Sequence, residues 1–287
     1  MDKKDIYGVA TFSDEEARNY ISLLFDGYQK RKHEKRLYVN DGIPEIIIKT
    51  YYSFVKKPNF SQIVYNFKRR YIYNESKLED VHTKEEKDGL ACVYNYIQTK
   101  DDLENISIYD LSYINEKLFS KTPFPEYGGK YRQEEAHLSG AKVDLTPYWY
   151  ITHEMNELKP EVEELVKEGL ELEKNRDVNK LIEYIDKCVL LNCKLIKIHP
   201  FKDGNGRSVR AFMNMLFRLA NIPPVYVENK ESEKYCSAMQ RALVEGDTSD
   251  IIGFYHFKIC DSIMALDIEI KQPPIYSDDE NHNKKVK

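Results

Sequence analysis

The chain has 287 residues, 41% of them hydrophobic, with 43 basic and 48 acidic residues and a formal net charge of -5. That much apolar sequence buries a sizeable core and excludes a wholly disordered chain, while the near-balance of charge excludes a global field for nucleic acid or an anionic membrane. No apolar run approaches the roughly 18 to 20 residues of a membrane-spanning helix, so neither membrane nor nucleic acid is expected as a partner and any anion site must be local. Five cysteines (Cys92, Cys188, Cys193, Cys236, Cys260) form an odd set without CxxC spacing, and residues 1–5 are charged rather than an apolar leader. Both features point to a cytoplasmic protein with reduced, mostly buried thiols.

Apolar periodicity and helix punctuation predict an all-α frame. In chain order the expected helices are 14–29, 44–56, 61–80, 84–99, 107–119, 152–172, 177–198, 205–220, 230–245 and 248–268. Ser13 with Glu16, and Thr83 with Glu86, have the spacing of capping boxes. One stretch breaks the pattern: after Gly128 and Gly129 come Ala136, Leu138, Ser139, Gly140, Val143 and Leu145, an alternation around a turn-forming dipeptide. It reads as a lone β-hairpin or as an irregular connecting loop. A two-stranded hairpin is marginal on its own, so in a helical protein it would be an exposed edge with a task. Residues 272–287 are polar and proline-led, the composition of a disordered tail.

The chemistry concentrates between two apolar helices, in His199-Pro200-Phe201-Lys202-Asp203-Gly204-Asn205-Gly206-Arg207. Gly204, Asn205 and Gly206 tolerate positive φ, which lets backbone N–H groups converge at the N-terminus of the next helix and cradle a phosphate. Arg207 and Arg210 share one face of that helix's first turn, where the dipole disfavours cations, so an anion is expected between them. Bidentate guanidinium bonds favour a polyphosphate over a lone carboxylate. Asp203 is a hard oxygen ligand suited to Mg²⁺ that also takes phosphate oxygens. His199, with an ordinary pKa near ~6.5, is the side chain of the loop suited to act as a neutral base toward an attacking hydroxyl.

These residues, continued through Ser208, Val209 and Arg210, resemble the full signature of the Fic family of adenylyltransferases. The resemblance implies an all-helical fold with a short β-hairpin flap, ATP as substrate and Mg²⁺ as cofactor. His199 would deprotonate a Ser, Thr or Tyr hydroxyl of a target protein, and AMP would be transferred with release of pyrophosphate. Asp203 would bind Mg²⁺, Gly204, Asn205 and Gly206 would hold the phosphates, and Arg207 and Arg210 their β and γ ends. Phe201 would point into the core and fix the loop. Gly128-Gly129-Lys130-Tyr131-Arg132 and the segment after it are similar to the family's flap, with Leu138 and Val143 on the target side. Tyr235 resembles the tyrosine that lines the adenine pocket, and a core tyrosine is the alternative. The similarity covers 105–268, leaving 1–104 as an N-terminal helical region and 269–287 as a tail.

Tyr73-Asn74-Glu75-Ser76-Lys77-Leu78-Glu79-Asp80 resembles the inhibitory motif of the class that carries its brake on an N-terminal helix, here 61–80. In that motif a Ser or Thr lies four residues before a glutamate, and Gly or Asn follows it. Glu79 would then pair with Arg210 in place of the γ-phosphate. This chain departs from the motif at Glu75 and at Asp80. Glu79 as one more solvated helix charge is the alternative, and removal of AMP from a modified target is a further activity that some relatives show. Self-modification and homo-oligomerisation stay open. Two readings stand beside AMP transfer: transfer of another nucleotide or a phosphoryl group by the same loop, and a nucleotide-binding regulatory module held shut by Glu79.

Overall fold

The structure, a computed structural model, describes residues 60–138, 143–175 and 178–271. Among them are nine α-helices: α1 (Phe60–Leu78), α2 (Lys84–Thr99), α3 (Asp110–Phe119), α4 (Ile151–Glu157), α5 (Lys159–Asn175), α6 (Val178–Ile198), α7 (Asn205–Leu219), α8 (Ser232–Val244) and α9 (Ser249–Lys271). The fold is all-α as its periodicity predicts. The helices expected at 14–29 and 44–56, the Ser13 and Glu16 pair, the Ser139-Gly140 turn, the side chain of Cys260 and the tail from 272 lie outside the described residues. Of the other thiols, Cys188 and Cys193 are buried, Cys92 is half-buried and Cys236 is exposed.

The span expected as one helix over 152–172 is two, broken at Leu158 between α4 and α5. Pro160 is the cause: it lacks an N–H and its ring crowds the helical conformation of the residue before it, so it fits only the first turn of a new helix. The Thr83 cap forms, with Oγ1 accepting from the Glu86 N–H at 3.3 Å and donating to the Glu86 carboxylate at 2.6 Å.

α7 is the axis of the bundle. All but two of its residues are buried, and it packs against α2, α3, α5 and α6. A helix covered on every side must satisfy each polar group it carries internally. Asn214 does so by accepting from the Val225 N–H and donating to the Val225 carbonyl, both at 2.8 Å, which holds the extended segment after α7 against it. The polar N-terminal turn of α7 is therefore presented from the centre of the core, and α1 crosses close to it.

The expected hairpin is not found as a pair of strands among the described residues. Residues 131–138 and 143–147 make no strand pairing beyond one antiparallel bridge between Tyr131 and Phe201. Their backbone bonds go to the end of α6 instead: the Arg132 N–H donates to the Pro200 carbonyl at 2.8 Å, and the Thr146 N–H to the Lys197 carbonyl at 3.1 Å. Both arms are thus anchored where α6 leaves carbonyls without helical donors. Leu138 and Val143 sit half-buried on the two arms.

Candidate active site

The loop between α6 and α7 is built by two left-handed residues. His199 follows the last residue of α6 with φ +50°, and Gly204 caps α7 with φ +73°. A β-carbon on Gly204 would lie 2.7 Å from Leu118 Cδ2 and 2.9 Å from Phe119 Cε2, so the close approach of α3 as well as the backbone angle requires glycine here. Phe201 is fully buried and packs on Tyr131. Asn205 turns its side chain back into the loop, accepting from the Phe201 N–H and donating to the Phe201 carbonyl, both at 2.8 Å. Its amide closes the loop rather than facing outward, and what it offers an anion is backbone.

Asn115, on α3, is a residue that the sequence did not single out. Its Nδ2 donates to the Asp203 carbonyl at 3.1 Å and to Ser208 Oγ at 3.0 Å, while its Oδ1 accepts from the Gly129 N–H at 2.9 Å. One buried amide therefore fixes the Gly128-Gly129 turn, the loop and the first turn of α7 together. Arg132, which the sequence marks only as the end of the Gly128-Gly129-Lys130-Tyr131-Arg132 run, is buried against the end of α6 with its Nε donating to the His199 carbonyl at 2.8 Å. Their partners in the loop, at the end of α6 and on α7 lie 66 to 93 positions away, so local spacing does not mark these contacts.

The charged groups divide by burial. Arg207 is buried over the Phe119 ring, and its Nη2 lies 3.4 Å from Asp203 Oδ1. The Asp203 side chain is 59% exposed, and its Oδ1 also accepts from the Gly204 N–H at 2.5 Å. Arg210 is 4% exposed and carries two carboxylates, both from α1 and its C-terminal end. Its Nε donates to both oxygens of Glu75 at 3.2 and 3.1 Å, and its Nη2 donates to Glu75 Oε2 at 2.8 Å and to Glu79 Oε1 at 2.6 Å. Glu75 is fully buried and Glu79 is 28% exposed. The Glu79 carboxylate also lies against the cradle, 2.7 Å from where a Gly206 β-carbon would sit.

Burial drives the Glu75 carboxyl up from its ordinary range despite the attraction of Arg210. Burial also opposes ionisation of Glu79, but Arg210, Arg207 and His199 outweigh it and hold that carboxyl down. His199 is held below the ordinary histidine range, first by burial and then by Arg132, against the Ile196 carbonyl, Glu79 and Asp203, which pull the other way. A neutral imidazole at neutral pH is the state that a general base needs. Tyr235 is buried with its ring 5.7 Å from the Arg210 guanidinium and packs on Phe254 and Tyr255, so it belongs at once to the core and to the edge of the site.

The departures from the expected inhibitory motif now have a local account. Asp80 has φ +53°, and the Val81 N–H donates to the Ser76 carbonyl at 2.8 Å. That is a Schellman ending of α1 with Asp80 as its left-handed residue, the position where Gly or Asn fits with least strain. Ser76 is turned away, its Oγ donating to the Ile72 carbonyl at 2.6 Å.

Residues 105–217 match the model of the Fic/DOC family. This matched span is what the chain shares with Fic domains. It takes in Asn115, Arg132 and the whole loop through Arg210, whereas Glu75, Glu79 and Tyr235 fall outside the matched span. The chain is 28% identical over 170 residues to a protein adenylyltransferase Fic of Culex quinquefasciatus, covering 58% of this chain and 30% of that protein. It is 27% identical over 150 residues to the Drosophila melanogaster protein of the same name, covering 52% and 27%. The chain thus matches less than a third of the length of these curated relatives. In fold it is similar to residues 134–508 of Fic-1 from C. elegans, with a TM-score of 0.63 at 15% identity over 88% of this chain and 80% of that one. It is also similar to a Fic domain containing signaling protein from Bacteroides thetaiotaomicron, with a TM-score of 0.62 at 15% identity over 81% and 99%.

Proposed function

We propose that this chain is a Mg²⁺- and ATP-dependent protein adenylyltransferase with a built-in brake. The observation that carries the reading is the juxtaposition of a half-buried His199, held toward its neutral form, with a glycine cradle and two buried arginines on the first turns of α7. In the transfer, a hydroxyl oxygen of the target attacks the α-phosphorus of ATP. The O–P bond forms, the α–β anhydride breaks, pyrophosphate leaves, and the hydroxyl proton passes to His199. Backbone donors of Gly204 to Gly206 and the guanidinium of Arg207 hold the phosphates, and Arg210 holds the far end once Glu79 withdraws. Tyr235 would line the base pocket.

Among the described residues, no group of three or more His, Cys, Asp or Glu is gathered to hold a metal. One exposed carboxylate, Asp203, beside a phosphate site fits a magnesium ion held mainly by the nucleotide's own oxygens, and the ion would offset charge on the phosphates.

The brake reading rests on Glu79, whose carboxylate occupies both the Arg210 edge and the Gly206 side of the cradle. The alternative of a nucleotide-binding regulatory module draws support from one observation, the second carboxylate on Arg210. Incubation with Mg²⁺ and ATP labelled at the α- or the γ-phosphate separates these readings. Transfer of α-label that His199→Ala abolishes is expected. Transfer of γ-label would mean phosphoryl transfer, and ATP binding without transfer, even after Glu79→Gly, would favour the regulatory module.

A further inference from the structure

The last carbonyls of a helix have no donors within it, and where the end is buried another group must supply them. At the end of α6 the Thr146 N–H takes the Lys197 carbonyl, and the Arg132 side chain takes the Ile198 and His199 carbonyls. Its Nε donates to the His199 carbonyl at 2.8 Å, its Nη2 to the Ile198 carbonyl at 3.3 Å and also to the Thr146 carbonyl, and its Nη1 to the Glu134 carbonyl at 2.8 Å. Its backbone N–H takes the Pro200 carbonyl. The Arg132 side chain is 1% exposed, and Glu135, 3.9 Å away, is its one carboxylate contact among the described ion pairs. A planar fork of donors aimed at carbonyls on three separate stretches is a geometry that only arginine supplies.

We infer that Arg132 is a positioning residue for the transfer: its guanidinium locks His199, the end of α6 and both arms of the 131–146 segment into one register. The inference rests on the transferase reading of the loop. His199 sits at φ +50°, a conformation that a non-glycine residue keeps only where its surroundings over-determine it. Arg132 supplies that determination by holding the His199 carbonyl from one side while the His199 N–H donates to Leu195 at 3.0 Å on the other. The same fork fixes the segment on which a target is expected to lie, so the accepted hydroxyl and the base are referred to one guanidinium. Its cation also bears on the imidazole. The groups facing His199 are Glu79 from the end of α1, Asp203 in the loop, the Ile196 carbonyl and Arg132, and of the charged ones only Arg132 disfavours the imidazolium.

The test uses the full chain, with and without Glu79→Gly, carrying Arg132→Met or Arg132→Lys. It measures kcat and KM for ATP from α-label transfer, and the His199 titration by NMR of its ring carbons, assigned with His199→Ala. For Arg132→Met we expect kcat to fall at least ~10-fold, KM for ATP to stay within about twofold because the Arg132 side chain bonds to the loop's start and the 131–146 arms rather than to the cradle, and the titration to move to higher pH. Arg132→Lys keeps the charge but not the fork, so it should hold the titration near the parent's while regaining only part of kcat. A kcat within twofold of the parent's for Arg132→Met overturns the inference. So does a kcat loss matched by a rise in KM with an unmoved titration, which would mark general loosening. If Arg132→Met does not fold, Arg132→Lys decides, since parental kcat there overturns the positioning role. Absence of His199-dependent transfer in the parent overturns the transferase reading, and the NMR titration then still reports whether Arg132 sets the environment of His199.

Discussion

Replacing Glu79 with glycine tests the brake and its size. The substitution removes a carboxylate 2.6 Å from Arg210 Nη2 that also crowds Gly206. A hydrogen bond to a charged group contributes about 1.5–3 kcal/mol, which corresponds to a factor of roughly 10 to 150 in the balance between a closed and a nucleotide-ready site. The lower end applies here, because Glu79 is 28% exposed and Arg210 keeps its contacts to the fully buried Glu75. For the same reason Arg210 is not left unpaired, and the fold should survive. The assay is the initial rate of α-label transfer from ATP with Mg²⁺ for the wild type, Glu79→Gly, Glu79→Ala and Glu79→Gly with His199→Ala. The rate should rise about tenfold in both single variants, the alanine showing that backbone flexibility is not the cause, and vanish in the double variant. Rates within twofold of the wild type would refute the argument that Glu79 competes for Arg210.

Because burial holds His199 below the ordinary histidine range and the base must be neutral, transfer should be lost as pH falls through a value below ~6.5, and a pH–rate profile with its acid limb above that value would contradict the assignment. Gly204→Ala places a β-carbon 2.7 Å from Leu118 in a left-handed residue, so thermal or urea unfolding should show a loss of about 1–3 kcal/mol. Asp80→Asn puts a better left-handed residue at the end of α1 and should stabilise the chain by a few tenths to ~1 kcal/mol in urea unfolding while slowing basal transfer, since the brake is held more firmly.

The sequence by itself determined the helices and the loop. The 3.6-residue period, the Thr83 cap and the glycine-rich turn act over a few residues, so α1 to α3, α6 to α9 and the run from His199 to Arg210 are legible without a fold. Pro160 was equally local, but a continuous apolar period hid the break it causes. Tertiary structure decided what meets what. That Glu75, a departure in the motif, is the fully buried partner of Arg210 and takes both its Nε and its Nη2 follows only from α1 crossing α7, 135 positions away. The alternation over 136–145 suggested strands pairing with each other, yet the described arms bond to the end of α6, where unpaired carbonyls and the buried fork of Arg132 make the better partner. The physical reason is common to both. Periodicity and turn chemistry are properties of neighbouring residues, whereas the satisfaction of a buried charge or carbonyl depends on which distant group the packing brings within 3 Å.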